Sequence, residues 1–176
     1  MALRPIVLFG DPVLRSPTQP VTTFDDRVRQ LVKDLLDTVD EPGRAGLAAT
    51  QIGVDLRVFS YNVDDKIGYV INPEIVELSE ETQRGDEGCL SIPNLWYATT
   101  RAMHATVRGV DLDNEPITVS GSELMARCLQ HEVDHLDGML YIERLYPPER
   151  KIARRDIRKQ EWAQAGAGNA AATKPR

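Results

Sequence analysis

Two histidines four residues apart, in the run Gln130-His131-Glu132-Val133-Asp134-His135, lie in a stretch with no Gly or Pro between Ser122 and Gly138. The stretch therefore reads as a helix of about four turns, with Ser122 as its N-cap and Gly138 at a position suited to a left-handed C-terminal cap. Positions i and i+4 stand one above the other on a helix face, so both imidazoles can reach one metal ion. Glu132, about 100° around the axis, can then address a water in the open position of that metal. This is the apparatus of metal-assisted hydrolysis, although the same string also occurs as a plain hydrogen-bonded His pair. On the wheel, Leu124, Cys128, His131 and His135 fall within an arc of about 60°, so the His pair continues an apolar stripe predicted to face inward.

A catalytic site of this kind needs a third protein ligand and keeps one position open. Tyr141 stands where the familiar HExxHxxGxxH pattern has its third His, and the remaining His of the chain, His104, lies in an alternating segment predicted to be strand, with no metal role. Cys128 is seven residues before His135, a rise of about 10.5 Å, so one ion cannot bind it and both His; a small buried hydrophobe is the reading for it. There remains Cys89, in Glu87-Gly88-Cys89-Leu90-Ser91-Ile92-Pro93. Taken alone that segment suits a buried structural Cys; beside the helix motif, a thiolate presented next to Gly88 at a strand end is the preferred reading.

Three stretches together, Gly46-Leu47-Ala48-Ala49-Thr50-Gln51, Glu87-Gly88-Cys89-Leu90-Ser91 and Gln130-His131-Glu132-Val133-Asp134-His135, resemble the peptide deformylases in order and separation, with similarity from near residue 4 to near residue 160. The resemblance implies that Cys89, His131 and His135 are metal ligands and that Glu132 is the general base. It implies that the Gln51 side-chain amide and the Leu90 backbone N–H hold the oxyanion. It further implies a substrate-binding surface that includes Gly46, with Leu124 and Cys128 lining a pocket for the methionine side chain. The implied reaction converts a formyl-methionyl peptide and water to formate and a free N-terminal methionine. One thiolate and two imidazoles suit divalent Zn, Fe, Co or Ni; the resemblance favours Fe2+, with Zn2+, Ni2+ or Co2+ as substitutes, and a thiolate on iron would be oxygen-sensitive.

The chain departs from the family pattern at three places. Arg44-Ala45-Gly46 replaces the usual Gly-x-Gly, so the entrance loop is expected to take another path with Arg44 lining it. Trp96 stands where many relatives carry an Arg, so peptide binding is expected to lean on aromatic contact. Arg127 stands where others have an aliphatic residue, at the pocket edge. Two rival readings stay open here: an HExxH metallopeptidase with Glu143 or Glu149 as third ligand, and a structural metal staple, which usually needs four protein ligands.

With 176 residues, 41% of them hydrophobic, the chain suits one domain, expected over residues 1–163, with 164–176 as a disordered tail. Two Cys point to a reducing compartment rather than a Cys89 to Cys128 disulfide. The short apolar run at the N-terminus does not suit a signal peptide, and no run is long enough to span a membrane, so a cytoplasmic protein is expected, with no membrane or DNA partner. Apolar spacing over Phe24, Val28, Leu31, Val32, Leu35, Leu36 and Val39 predicts an N-terminal helix capped at Thr22-Thr23. Strands are predicted over Leu56–Tyr61, Gly68–Leu78, Thr100–Asp111 and Pro116–Ser120, and a C-terminal helix after Pro147-Pro148. The expected class is α+β, with antiparallel strands packed around the central HExxH helix. Although the net charge is −6, residues 150–159 are basic (Arg150, Lys151, Arg154, Arg155, Arg158, Lys159 against Asp156), suiting a solvated face or, for an enzyme of nascent formyl-methionyl chains, docking on ribosomal RNA.

Overall fold

Apolar pairs recur in three successive segments, Leu47-Ala48, Val58-Phe59 and Val70-Ile71. Neighbouring side chains of a strand point to opposite faces, so a sheet built from these pairs must be covered on both sides. In the computed structural model, which describes residues 3–165, they belong to a five-stranded sheet of β1 (Gly46–Ala48), β2 (Val58–Val63), β3 (Lys66–Leu78), β6 (His104–Val110) and β7 (Pro116–Ser122). The strands lie in the order β1-β2-β3-β6-β7, each antiparallel to its neighbour. A separate antiparallel pair joins β4 (Thr82–Cys89) to β5 (Ile92–Ala102). Among the described residues, three helices of three turns or more accompany the sheets: α1 (Asp26–Val39), α2 (Glu123–Leu136) and α3 (Pro147–Arg158).

The two faces of the large sheet take different helices. Leu47, Val58 and Ile71 share a core with Val28, Leu31, Val32 and Leu35 of α1, whereas Ala48, Phe59 and Val70 share one with Ala126, Leu129 and Val133 of α2. A third cluster sets Ile92 of β5 against Leu140, Tyr141, Ile142 and Leu145, with Ala153 and Ile157 of α3 behind them. The result is a mixed α and β fold with antiparallel sheets. No helix among the described residues is long and apolar enough to cross a membrane.

Several local expectations are corrected. The N-cap of α1 is Asp25, whose carboxylate accepts from the backbone N–H of Arg27 and Val28 at 3.0 and 3.2 Å, so Thr22 and Thr23 stay in the preceding loop. A charged acceptor at the positive helix end is the stronger cap. Ser122 does precede α2, but its hydroxyl makes no capping bond and instead meets Nδ1 of His104 at 2.7 Å across the β6/β7 pair. The predicted strand Thr100–Asp111 is two strands in different sheets, broken at Met103, whose N–H donates to Glu81 O. The β4/β5 hairpin was not expected along most of its length, because Thr82–Cys89 carries too few apolar residues to show alternation. Beyond α3, residues 161–165 form a further helical turn that includes Gln164 and Ala165 of the expected tail; the remainder of that tail lies outside the described residues.

The turns that aim the site have local causes. Asp64 and Asp65, both in the left-handed region at φ 51° and 61°, close the tight β2/β3 hairpin, a conformation that Asp and Asn tolerate better than most. Gly138, at φ +78°, ends α2, and a Cβ there would stand 2.9 Å from Arg15 O, so only glycine fits.

Candidate active site

The middle of α2 brings His131 and His135 together, one turn apart, with ring centroids separated by 4.9 Å. Facing them is Cys89, the last residue of β4, whose Sγ lies 3.2 Å from His135 Nε2. One ligand atom from each of the three residues lies within 4.8 Å of the others. Nδ1 of His131 meets Glu87 Oε1 at 2.6 Å, which leaves its Nε2 for a metal. One soft thiolate and two imidazoles converging in this way fit a divalent transition metal with one coordination position left open. Both cysteines are free, and Cys128 lies on the same helix at Ala45, its Sγ 3.2 Å from that carbonyl oxygen.

Around the three lie the groups that chemistry would use. Gln51 sits in a short 3-10 turn just after β1 and is almost wholly buried. The Ala48 N–H donates to its Oε1 at 3.0 Å, so its Nε2 is turned toward Cys89 Sγ at 3.5 Å and Ser91 Oγ at 3.3 Å. Leu90 occupies the two-residue turn between β4 and β5 and lines the same cavity. Glu132 also lines it, is buried, and has no hydrogen-bond partner on Oε2 among the described residues. Burial pushes the Glu132 carboxyl up to about 7, against the opposing pull of His131. Gly46 approaches so closely that a Cβ there would overlap Glu132 Oε1 and stand 2.8 Å from Cys128 Sγ. A buried carboxylate is thus held beside the Cys89, His131 and His135 cluster, of which Cys89 and His131 line a cleft of about 910 Å3.

Residues 3–151 match the family model for polypeptide deformylase. The chain belongs to the peptide deformylase family. It is 56% identical over 163 residues to the peptide deformylase of Acidothermus cellulolyticus, covering 93% of this chain and 90% of the relative. With the enzyme of a Parafrankia species it shares 48% identity over 93% of this chain and 90% of that one. The crystal structure of the Legionella pneumophila deformylase superposes with a TM-score of 0.81 at 36% identity, over 99% of this chain and 100% of the other. That of Thermus thermophilus gives 0.82 at 39% identity, over 89% and 93%. As a peptide deformylase, the chain is a metal-dependent hydrolase that removes the formyl group from N-terminal methionine.

Other deformylase residues singled out from the sequence are distributed as follows. Cys128 is buried, and burial pushes its thiol well above its ordinary value, so it presents a neutral, soft wall to the cleft. Leu124 does not face the interior as the stripe suggested: it is 49% exposed at the cleft mouth, because α2 begins there, beyond the edge of the core. Trp96 is 65% exposed and also lines the cleft. Arg44 lines the mouth as expected from its position, but its Nη1 donates to Thr38 O at 2.6 Å, at the end of α1. Glu143 and Glu149, the third ligands of the rival peptidase, are turned instead to Arg15 at 3.4 Å and Arg84 at 2.6 Å. Tyr141, in the place of a third His, stacks on the His131 ring at 6.0 Å and donates to Leu95 O at 3.1 Å. His104 is exposed on β6, outside the cluster.

Sequence reasoning missed the buried ionic network behind Cys89, His131 and His135. Glu87 accepts from Arg101 (Nη2, 2.6 Å; Nε, 3.1 Å), from Arg127 Nη1 at 2.7 Å and from His131 Nδ1. Arg101 Nη1 also donates to Asp134 Oδ2 at 2.6 Å, and Arg144 grips the same carboxylate at 2.6 and 3.0 Å. Burial alone would raise the Glu87 carboxyl, but the hydrogen bonds from His131 and Arg101 outweigh it and hold it below the usual carboxylate range. A signal for Glu87 was present: residues i and i+2 of a strand share a face, so Glu87 must lie beside Cys89. Arg127, read from the sequence as a residue of the pocket edge, does line the cleft, with its guanidinium turned onto Glu87 and Thr99 O.

Proposed function

We propose that Cys89, His131 and His135 hold one divalent ion, Fe2+ in the cell with Zn2+, Ni2+ or Co2+ able to replace it, and that the site deformylates nascent formyl-methionyl chains. When bound, the ion supplies Lewis acidity and lowers the pKa of a water toward about 7. Glu132 takes a proton from the attacking water and delivers it to the departing methionine nitrogen. Gln51, through Nε2–H, and Leu90, through its backbone N–H, receive the negative charge that develops on the formyl oxygen. Gln51 suits that task because its own oxygen is tied to Ala48, so the amide is already oriented before substrate arrives. Gly46, whose missing Cβ leaves room for Glu132 Oε1 and Cys128 Sγ, meets the substrate backbone at the cleft wall, Leu124 and Cys128 border the methionine side chain, and Trp96 contacts the residues beyond it.

The observation that carries this proposal is Glu132, a buried residue of the cleft lining next to the Cys89, His131 and His135 cluster, whose Oε2 has no hydrogen-bond partner among the described residues. A structural staple would give such a carboxylate no purpose, and an uncompensated buried carboxylate is costly. Anaerobically purified protein should release formate from formyl-Met-Ala-Ser and carry about one metal ion per chain, as expected of a single three-ligand site. Stoichiometric metal without formate would count decisively against the proposal.

The catalytic unit is proposed to span residues 1–163, in the cytoplasm. Arg154 and Arg158 of α3, exposed and bordering a groove with Arg15 and Phe9, suit docking on ribosomal RNA. Co-sedimentation with ribosomes should then weaken steeply as salt rises, by counterion release. Binding indifferent to salt, or none, would remove that part of the proposal.

A further inference from the structure

We propose that Arg127 is a positioning residue for the metal centre, a strut that fixes the strand carrying Cys89 against the helix carrying His131 and His135; this rests on the ligand set proposed above. Cys89 ends β4 and the two His lie on α2, elements far apart in the chain, so their relative placement depends on side-chain bonds between them. Those bonds converge on Glu87. It stands two residues before Cys89 in β4, hence on the same strand face. From α2, Arg127 and His131 approach it from one helix face, one turn apart. Each takes one oxygen of the carboxylate: Arg127 Nη1 donates to Oε2 at 2.7 Å, and His131 Nδ1 meets Oε1 at 2.6 Å. Two bonds from successive turns fix the plane of the carboxylate as well as its position. The same Nη1 donates to Thr99 O at 3.0 Å, so one guanidinium ties α2 to both β4 and β5.

Arg101 does not duplicate this role. It grips Glu87 at 2.6 and 3.1 Å, but from β5, within the hairpin, and it reaches α2 at Asp134, beyond His131. Arg127 is the only Arg or Lys of α2, and it is 8% exposed against 4% for Glu87. Water and salt therefore screen the pair little, and neither partner can turn away without stranding a buried charge. Charge and geometry imply opposite consequences of removing Arg127. As one more cation near the cluster it repels a divalent ion, so its loss by charge alone would tighten metal binding. As a strut it holds Cys89 in place, and its loss loosens the one ligand that comes from the strand.

The test is metal retention against a chelator, for Zn2+-loaded wild type, Arg127→Met and Arg127→Lys. Met keeps much of the apolar stem and lacks every donor, so Arg127→Met should bind Zn2+ about tenfold more weakly, the low end for loss of a support behind a ligand. Arg127→Lys keeps the charge but not the planar fork, and should fall between. In the Co2+-loaded Met variant the thiolate-to-metal absorption band should shift or weaken, because Cys89 is the ligand set loose. In the Glu87→Ala background, where the carboxylate is gone from β4, Arg127→Met should change Zn2+ affinity by less than about twofold, as for two residues that act as one unit. Zn2+ binding by Arg127→Met as tight as wild type or tighter would overturn the strut, and so would a loss of the same size in the Glu87→Ala background. If Arg127→Met does not fold, Arg127→Lys decides by the same measurements, an unaltered affinity and Co2+ band overturning the strut. Wild-type protein that binds no metal would overturn the ligand set, and the strut with it.

Discussion

Glu132→Gln is expected to lower formate release by roughly 10²- to 10⁴-fold, the usual contribution of a positioned general base, while leaving metal content unchanged. Gln has nearly the volume of Glu, so it fits between Gly46 and Cys128, where a longer side chain would not. It cannot accept the proton of the attacking water. The fold should not suffer, because among the described residues Oε2 of Glu132 has no hydrogen-bond partner to strand and Glu132 is in no ion pair. Removing a buried, unpaired carboxylate relieves a desolvation cost, so the variant should melt at the wild-type temperature or above it. Turnover number and metal stoichiometry, measured on one preparation, decide the matter. A variant that keeps its metal and turns over within a few-fold of wild type would mean that the proton goes elsewhere.

What could be read in the chain and what could not divides along the range of the interactions. α1 and α2 were legible because their apolar spacing is local: Val28, Leu31, Val32 and Leu35 repeat on one face whatever they pack against. Cys89, His131 and His135 were legible as a set through the family resemblance: a helical His pair calls for a third residue from elsewhere, and the stretch Glu87–Ser91 pointed to Cys89. The β4/β5 hairpin was not, since Thr82–Cys89 is stabilised by its pairing with β5 rather than by its own composition. Nor was the break at Met103, which depends on two strands entering different sheets. Asp134, Arg101 and Arg127 look in sequence like solvated surface charges, yet all are buried, because each finds its counter-charge more than ten residues away or in another element. Charge burial is decided by tertiary partners, and no local pattern reports them. The same limit applies to Gln51: the family motif points to it, but only the Ala48 contact explains which end of the amide faces Cys89.

Glu87→Ala is expected to cost about 3–5 kcal/mol, the usual result of removing one partner from a buried ion pair. Arg101 and Arg127, 4% and 8% exposed, would lose their shared acceptor, and only Arg101 would keep a carboxylate, Asp134. For a chain of this size the melting temperature should fall on the order of 10 °C. A second effect is separable from the first. Glu87 fixes the proton on His131 Nδ1 and so leaves Nε2 unprotonated, and loss of such a hydrogen-bonded support typically weakens metal binding about 10- to 100-fold. Glu87→Gln separates the two, because its amide fills the same space and can still accept through one oxygen. It should recover part of the stability yet bind metal more weakly than wild type, its amide N–H₂ being unable to accept from either guanidinium or from His131. Denaturant unfolding of the metal-free proteins gives the first quantity, and competition with a chelator gives the second. If metal-free Glu87→Ala unfolded within about 1 kcal/mol of wild type, the size of an exposed pair, the carboxylate would not be the hub that its four hydrogen bonds describe. If affinity for metal stayed unchanged in both variants, Tyr141 stacking alone would be sufficient to orient His131.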